Sequence, residues 1–493
     1  MDSHILWPVP YNHQNHLAML RYNFKYELRL LLRSRWIQIL SLILLVLFGF
    51  STFNGIEKVE KRKNDILTAK QQVKESDAAM LKLLDSVERG LEVSASPWTI
   101  PTNPMNVGNH HPRVAAMEPQ PMAFVSTGQA DLFTHYIKPT VSGDDFALNF
   151  TEMTSPVQLL FGSFDLAFVI VYLLPLLIIA FTYNVLSAEK EQGSLRLLAS
   201  QPISIRKWVF QKLILRFFWL SVLVILSLLV VFFLIGVEPL EWTSTLSLLG
   251  LTICYMLFWF ALAFLVNLFV GSSAKNAVSL IMLWVIFVLL APSVLNQLGN
   301  TLYPMPSRTL MINEMREHKA EVTKRQDEIL DNFLRDHPEY AINDTTQSRN
   351  FYHSYMASQK VVKEALEPIV SSYELQLHKQ QEWSKKLQWL SPAIVAQESL
   401  NQLAGTSTAD YEDYRDQVIG FAETWREHLM AYLYNNKPFG QQDYSSLPNF
   451  QFSYASNTTM GVSALVLLLV AGALLVFGFA VQGKSQKRGL LSN

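Results

Sequence analysis

The 493-residue chain carries a formal net charge of −1, and half of its residues are hydrophobic. This near-neutral balance excludes the broad basic surface that nucleic-acid binding requires. The single cysteine, Cys254, excludes a disulfide framework within the chain, so any insertions must fold by their own cores or by packing on each other. The hydrophobic residues lie in dense blocks between polar stretches, which predicts a polytopic membrane protein and not a soluble enzyme.

An amphipathic pattern precedes the first hydrophobic block. Its apolar residues, three or four positions apart, are Leu17, Leu20, Phe24, Leu28 and Leu31. The basic residues beside them are Arg21, Lys25, Arg29 and Arg33. The pattern predicts an interfacial helix over residues 15–35, with an apolar stripe in the acyl boundary and basic side chains that reach the headgroups. A helix packed in a soluble domain is the alternative interpretation.

Six blocks are long and apolar enough to cross a bilayer as helices. They are Trp36 to Phe53, Phe164 to Leu186, Trp208 to Gly236, Leu246 to Val270, Ala277 to Val294 and Met460 to Val481. The blocks predict a mainly α fold with six transmembrane helices, including a bundle of four over residues 164–294. Two insertions separate the blocks, at residues 54–163 and 295–459.

Lysine and arginine near the predicted span ends indicate the orientation. Those on one side of the predicted topology are Arg33, Arg35, Lys190, Arg196, Arg206, Lys207, Lys212, Lys275, Lys484, Lys487 and Arg488. Lys58, Lys61, Arg62 and Lys63 lie on the other side, but they open a long insertion, where charge counts for less. The opposite turn between the third and fourth spans carries Glu238 and Glu241. We therefore expect both termini, residues 1–35 and the basic tail 482–493, to be cytoplasmic and both insertions to be extracytoplasmic.

Composition distinguishes the two insertions. The first has a charged, helix-favouring stretch over residues 56–91, followed by Pro-, Gly- and Asn-rich sequence over 97–143, which predicts a helix and then irregular structure. The second is charged and poor in Gly and Pro over residues 313–337 and 347–390, which predicts a mostly helical domain.

The loop over residues 187–207 carries the most informative motif. Its acidic pair is Glu189 and Glu191, its turn residues are Gly193, Ser194 and Leu195, and the remaining positions of interest are Arg196, Leu198, Pro202, Ile203 and Ser204. The loop resembles that of type-two ABC permeases, whose pattern is E-x-E-x-G-(S/T)-L followed by L-L-x-x-P-(I/V)-S; this chain has one more residue between its leucine pair and Pro202. The topology is similar to the subgroup with a large extracytoplasmic domain before the last transmembrane helix.

The resemblance implies a permease subunit, and more specifically an exporter in a bacterial cytoplasmic (inner) membrane. In that family a short helix of this loop docks on a separate cytoplasmic ATPase subunit, which binds ATP and Mg. The resemblance also implies a second permease chain, identical or related, and no cofactor in this chain. A membrane-anchored sensor or scaffold, whose outer domains bind a ligand or partner without transport, is the alternative function.

The residues of the loop suit a docking role. Leucines at 195, 197 and 198 offer apolar side chains to a groove on a partner, while Arg196 offers a donor for a charged pair. A solvated loop between spans is the alternative, and it would not favour three leucines in water.

Four residues of the predicted spans are candidates for a translocation path or hinge. They are Asp165, Asn184 and Asn267, which are polar, and Pro175, which is expected to kink the second span. Hydrogen bonding between helices is the alternative role for the polar three, and a packing adaptation that for the proline.

Other motifs do not indicate chemistry. Residues 478–485 fit the phosphate-loop pattern G-x-x-x-x-G-K-S, but they end a predicted membrane helix instead of following a strand. The patterns H-E-x-x-H and G-x-S-x-G are absent, so we do not expect an enzyme. Residues 105–122 contain methionines and histidines that suit Cu(I), but without tight ligand spacing, and we expect packing instead.

Overall fold

The computed structural model describes most of the chain. The described residues are 25, 27–29, 31–93, 96, 99–128, 130, 134–142, 164–195, 204–235, 242–304, parts of 313–335, 351–435, 437–454 and 459–489.

The described elements are nearly all helical. The α-helices are α1 (Arg35–Glu88), α2 (Pro104–His110), α3 (Leu166–Phe168), α4 (Leu174–Thr182), α5 (Ser187–Glu191), α6 (Ile205–Ile235), α7 (Trp242–Phe269), α8 (Ser273–Trp284), α9 (Ala291–Leu302), α10 (Phe351–Leu387), α11 (Pro392–Ala404), α12 (Thr408–Tyr434) and α13 (Thr459–Gly489). Two π-helical segments, Val169–Leu173 and Val285–Leu290, join α3 to α4 and α8 to α9. Short 3₁₀ turns cover Gln388–Leu390 and Gln441–Ser446. The strands of the described part are β1 (Ala115–Ala116) and β2 (Tyr136–Ile137), paired antiparallel.

Among the described residues, six helical stretches are long and apolar enough to span a membrane, which confirms the predicted mainly α, six-span fold. Span 1 lies in α1, span 2 covers α3 and α4 and leads directly into α5, span 3 is in α6, span 4 is α7, span 5 covers α8 and α9, and span 6 is in α13. We call the end of the bundle that carries residues 187–195 and 270–276 the basic end. The opposite end, which joins the insertions, is the insertion end.

Span 1 does not stop where its apolar sequence stops. Helix α1 runs unbroken for 54 residues through the boundary predicted at residue 54, which at ~1.5 Å per residue is about 80 Å. The physical reason is that residues 56–88 contain no Gly or Pro, so the chain passes from lipid-compatible to polar sequence without a helix-ending signal. The helix ends before Gly90, whose φ is +74°.

Span 4 is the centre of the bundle. Its apolar stretch is 78% buried, against 11% for span 5 and 22% for span 6. The large side chains of Tyr255, Trp259 and Phe264 are almost completely enclosed there. Span 6 packs closely on span 4 at Gly478, where a Cβ atom would lie 2.8 Å from the ring of Phe264.

The two insertions fold around one shared core. Met80 and Leu84 of α1 and Val107 of α2 pack with Trp425 and Leu429 of α12. Hydrogen bonds also cross between the insertions, since the Trp425 indole donates to the Gly108 carbonyl at 3.3 Å. The described residues of 56–142 and 408–454 therefore form one insertion domain, in which the two insertions pack on each other without disulfides.

The described residues of the second insertion are mostly helical as far as residue 434. Helix α10 covers Phe351–Leu387 and contains Pro368, and most of the described residues between 313 and 335 are helical too. Ser391-Pro392 then starts a new helix, α11, with the Ser391 hydroxyl accepting from the Ile394 N–H at 3.3 Å. Helix α11 belongs to the same hydrophobic core as the spans.

Candidate functional site: the braced loop at the basic end

The loop after span 2 starts as the short helix α5 and then turns at Gly193. Gly193 has φ +76°, a left-handed conformation that favours glycine, and a Cβ atom at this position would meet nothing within 4 Å. The requirement for glycine is therefore a backbone turn and not close approach. Ser194 and Leu195 follow in helical conformation. The predicted loop residues Arg196, Leu198 and Pro202 lie outside the described residues.

Glu189 closes the loop and fastens it to span 3. Its carboxylate accepts hydrogen bonds from the Lys212 ammonium, at 3.0 Å, and from the Ser194 hydroxyl. The same hydroxyl lies 3.1 Å from the Glu189 carbonyl oxygen. The side chain of Glu189 is 25% exposed, so this ion pair is partly shielded from water.

Glu191 fastens the loop to the start of span 5. Its two carboxylate oxygens accept from the Ser273 backbone N–H at 2.7 Å and from the Ser273 hydroxyl at 2.9 Å. Ser273 is the first residue of α8, where a helix has unpaired N–H groups and a positive dipole end that favour a carboxylate. Both carboxylates of the acidic pair thus have partners within the chain.

The N-terminal segment joins the same cluster through Glu27. This carboxylate is only 3% exposed and accepts from the Arg216 guanidinium at 2.9 and 3.1 Å. Lys212 lies 3.6 Å from it. Lys212 therefore stands between the N-terminal segment and the loop. The sequence analysis did not predict this link. A signal was present, because Glu27 lies three positions after Phe24 and four before Leu31 and so interrupts the predicted apolar stripe.

The described basic residues of the N-terminal segment are exposed, whereas Glu27 is buried. Lys25, Arg29 and Arg33 are exposed, and Leu31 is buried, while Arg21 lies outside the described residues. One face of the segment thus packs on the bundle, and the basic side chains lie on the exposed face.

Two buried asparagines hold the basic ends of spans 2, 4 and 5 together. The Asn267 side-chain N–H₂ donates to the carbonyls of Thr182 and Ala263, both at 2.9 Å, and its oxygen accepts from the Leu186 N–H at 3.3 Å. The Asn276 side chain donates to the Tyr183 carbonyl at 2.9 Å. These bonds satisfy backbone groups freed where α4 ends.

The candidate path residues of span 2 lie apart from one another. Asp165 caps α3 at the insertion end, where it accepts from the N–H groups of Phe168 and Thr127, both at 2.8 Å. Asn184 lies in the turn near the basic end, and its carbonyl accepts from the Ala188 N–H at 3.1 Å. The 19 positions from Asp165 to Asn184 correspond to about 28 Å of helix.

Pro175 follows the π-helical segment of span 2. Pro175 has no N–H to donate to a carbonyl of the preceding turn, which includes Val171 four residues earlier. The Tyr255 hydroxyl of span 4 donates to the Val171 carbonyl, at 2.9 Å. The proline therefore marks a break in span 2 that span 4 supports.

The methionines and histidines of residues 105–122 do not converge on one point. Met105 and Met117 are buried in the core of the insertion domain, whereas Met122 packs with the bundle. His111 lies against Ser76, with Nδ1 2.7 Å from the hydroxyl. Among the described residues, no group of three or more His, Cys, Asp or Glu side chains could hold a metal ion.

The phosphate-loop pattern at residues 478–485 lies within the continuous helix α13. A phosphate loop requires a turn of free backbone N–H groups ahead of a helix, and an unbroken helix does not offer that geometry.

Comparison with known proteins assigns the membrane part of the chain. Residues 145–291 match the family model described as ABC-2 family transporter protein. Residues 308–453 match a domain of unknown function, DUF3526, which covers most of the second insertion. No significant match was found among curated proteins or solved structures. The match over residues 145–291 confirms the predicted resemblance to ABC-2-type permeases, and it supports a permease of that type.

Proposed function

We propose that this permease is the membrane-spanning subunit of an exporter whose energy comes from a separate cytoplasmic ATPase docked on residues 187–207. The observation that carries the proposal is the bracing of this loop. Glu189 ties it to span 3 and Glu191 ties it to span 5, while Lys212 connects it to the N-terminal segment through Glu27. A displacement of the loop by the ATPase would therefore be transmitted to several membrane helices together.

The orientation in this proposal follows the charges. The basic end carries the lysine and arginine clusters, so it faces the cytoplasm together with both termini, and the insertion domain faces outward. The membrane is the bacterial cytoplasmic membrane. In this arrangement, the partner ATPase binds ATP and Mg, and this chain supplies the membrane path.

A second permease chain, identical or related, completes the proposed transporter. Spans 5 and 6 support this part of the proposal because most of their apolar surface lies open, at 11% and 22% buried. Span 5 exposes large apolar side chains along its length, including Val278, Met282 and Val294. Lipid and a second chain would share these faces.

The test is co-purification of the chain with an ABC ATPase produced together with it, along with transport-linked ATP hydrolysis. The variant combines Leu195→Asp with Leu198→Asp, which removes two apolar side chains that a partner groove would take. We expect it to insert normally and to lose the ATPase. Leu67→Asp is the matched control, because Leu67 is 61% exposed on α1 within the insertion domain, and it should retain the ATPase.

The alternative function, a sensor or scaffold, makes the opposite prediction. If the double variant inserts normally, keeps the ATPase and still couples hydrolysis to transport, the loop is only a linker. If no ATPase associates with the wild-type chain, the insertion domain would be the functional part.

A further inference from the structure

The backbone hydrogen-bond ladder of span 2 is open between α4 and α5. In an unbroken helix, the N–H groups of Val185 and Leu186 would donate to the carbonyls four residues earlier, those of Phe181 and Thr182. Val185 instead donates to the Thr182 carbonyl, at 3.4 Å. Leu186 donates to the side-chain oxygen of Asn267 in span 4, at 3.3 Å. The regular ladder of α4 is therefore interrupted before it reaches α5.

A single carboxamide fills the interruption. The Asn267 side-chain oxygen accepts from the Leu186 N–H, and its nitrogen donates to the Thr182 carbonyl at 2.9 Å. These two backbone groups are the ones that would bond to each other in a continuous helix. The completely buried Asn267 amide is thus inserted into one hydrogen bond of span 2, and a side chain inserted into the ladder is a recognised cause of helix bending.

The carbonyls on either side of this inserted amide are satisfied by other spans. The Phe181 carbonyl accepts from the Arg216 guanidinium of span 3. The Tyr183 carbonyl accepts from the Asn276 side chain of span 5, at 2.9 Å. Three successive carbonyls of span 2 are therefore held by spans 3, 4 and 5, which fixes the position of the basic end of α4.

The local sequence does not require the interruption. Residues 183–186 are Tyr-Asn-Val-Leu, without glycine or proline. The backbone also stays in the helical region at both ends of this stretch, with φ −58° and ψ −31° at Tyr183 and φ −97° and ψ −39° at Leu186. A small rotation would close the ladder if the amide were withdrawn. A tertiary contact, the inserted amide, therefore keeps the ladder open.

The open ladder separates the attachments of α5 from those of α4. Glu189 of α5 accepts from the Lys212 ammonium of span 3, and Glu191 accepts from the Ser273 N–H of span 5. A closed ladder would make α5 the last turn of span 2 and so fix its direction to that of α4. With the ladder open, the direction of α5 is set by its bonds to spans 3 and 5.

We propose that Asn267 is a positioning residue for the loop over residues 187–207, and that its inserted amide makes residues 183–186 a hinge. A displacement of α5 then passes to spans 3 and 5, while the basic end of span 2 stays in place. The role in coupling rests on the proposed function. The hinge itself does not require an ATPase, so the two can be tested separately.

Hydrogen exchange of the full-length protein in lipid nanodiscs, without ATPase, tests the hinge. In Asn267→Ala, the Leu186 N–H can bond to the Thr182 carbonyl, and α5 becomes continuous with span 2. We expect the amides of residues 187–192 to exchange severalfold more slowly in this variant than in the wild type. A side chain that only supports packing would have the opposite effect, since its removal loosens the helix end and speeds exchange. Faster or unchanged exchange would therefore overturn the hinge.

Thr252→Val is the matched control. Thr252 is a completely buried polar residue of the same span, and its hydroxyl donates to the Leu248 carbonyl of its own helix at 2.8 Å. Its replacement should leave exchange of residues 187–192 unchanged. If Asn267→Ala does not fold, Asn267→Ser provides a second variant, because a serine hydroxyl in a helix bonds to a carbonyl of its own preceding turn and does not reach into span 2. It should also slow exchange.

Transport and ATP hydrolysis by the complex with an ABC ATPase test the role in coupling. Asn267→Ala should keep the ATPase bound and lower the transport per ATP hydrolysed severalfold, and Thr252→Val should not. Slower exchange with unchanged transport per ATP would show that the hinge is not used and would overturn the positioning role. If no ATPase associates with the wild-type chain, the proposed function and the positioning role fail together, and the exchange result still decides whether the hinge exists.

Discussion

Glu191 holds the N-terminus of span 5 with both of its carboxylate oxygens, at 2.7 Å from the Ser273 nitrogen and 2.9 Å from its hydroxyl. Glu191 belongs to the loop after span 2, and Ser273 is the first residue of span 5. The contact therefore connects this loop to a span at the basic end, and it satisfies a backbone N–H that the helix itself leaves unpaired.

The first prediction concerns this contact. Glu191→Ala should leave insertion and the bound ATPase unchanged while lowering transport-linked ATP hydrolysis, because the loop loses its bond to span 5. Glu191→Asp should restore less than the wild-type level, since its shorter side chain reaches Ser273 less well. Hydrolysis and transport by the reconstituted complex would measure both. Loss of the ATPase in Glu191→Ala would instead assign the residue to docking.

The second prediction concerns the turn at Gly193. Its φ of +76° is unfavourable for a β-branched residue, so Gly193→Val should cost about 1–2 kcal/mol locally and weaken co-purification of the ATPase. Gly193→Asn should cost less, because asparagine enters the left-handed region more readily. Equal effects of the two substitutions would show that side-chain size, and not backbone conformation, is what matters at this position.

Gly55 provides a test of the junction between span 1 and the insertion domain. A Cβ atom there would lie 2.1 Å from the Phe124 carbonyl oxygen, so Gly55→Ala must displace backbone. We expect a destabilisation of about 1–3 kcal/mol. Gly49→Ala on the same helix is the control, since nothing lies within 4 Å of its Cβ position. Thermal unfolding of the purified full-length variants measures the difference, and similar melting temperatures would contradict the packing.

The break at Pro175 can be tested with a double-mutant cycle. Tyr255→Phe should destabilise the bundle by about 1 kcal/mol, because it removes the only hydroxyl that bonds to the Val171 carbonyl among the described residues. Pro175→Ala would restore a backbone N–H to that carbonyl. The cost of Tyr255→Phe should therefore shrink in the Pro175→Ala background. An unchanged cost, measured by unfolding in detergent, would show that the hydroxyl does not compensate for the proline.

The pH dependence of the insertion domain should involve His111. Burial lowers the pKa of this imidazole below its usual 6.5, although the Asp77 carboxylate opposes the effect by raising it. His110 and Arg113 also lower it. The unfolded chain therefore binds a proton at His111 more readily than the folded chain does. Its contribution to stability is complete above about pH 6.5 and is lost as the pH falls from there toward the lowered pKa.

Hydrogen exchange of residues 76–142 at pH 7.5 and pH 5.5 measures this dependence in the full-length protein. The wild type should open more readily at the lower pH, beyond the intrinsic change in exchange rate. His111→Gln should reduce the difference between the two pH values, and the exposed neighbour His110→Gln should leave it nearly intact. A difference that persists in His111→Gln would assign the acid sensitivity to other groups.

The sequence by itself determined the partition of the chain between lipid and water. Six apolar blocks predicted six spans because the transfer of a helix into the bilayer depends on about 20 consecutive residues, a local property. The loop motif from Glu189 to Leu195 was likewise local, and it predicted the ABC-2 resemblance that residues 145–291 confirm.

Tertiary structure decided how these parts meet. The described residues of 56–142 and 408–454 share one core, and Glu27 pairs with Arg216 across 189 positions. Such contacts depend on how distant segments pack, and they leave no periodic pattern in either segment. The same holds for Ser391, whose hydroxyl donates to the Phe287 carbonyl. Pro292, 99 positions before Ser391, has no N–H to bond to that carbonyl. Local sequence sets which segments are helices and which solvent they tolerate, and long-range packing sets which polar groups pair.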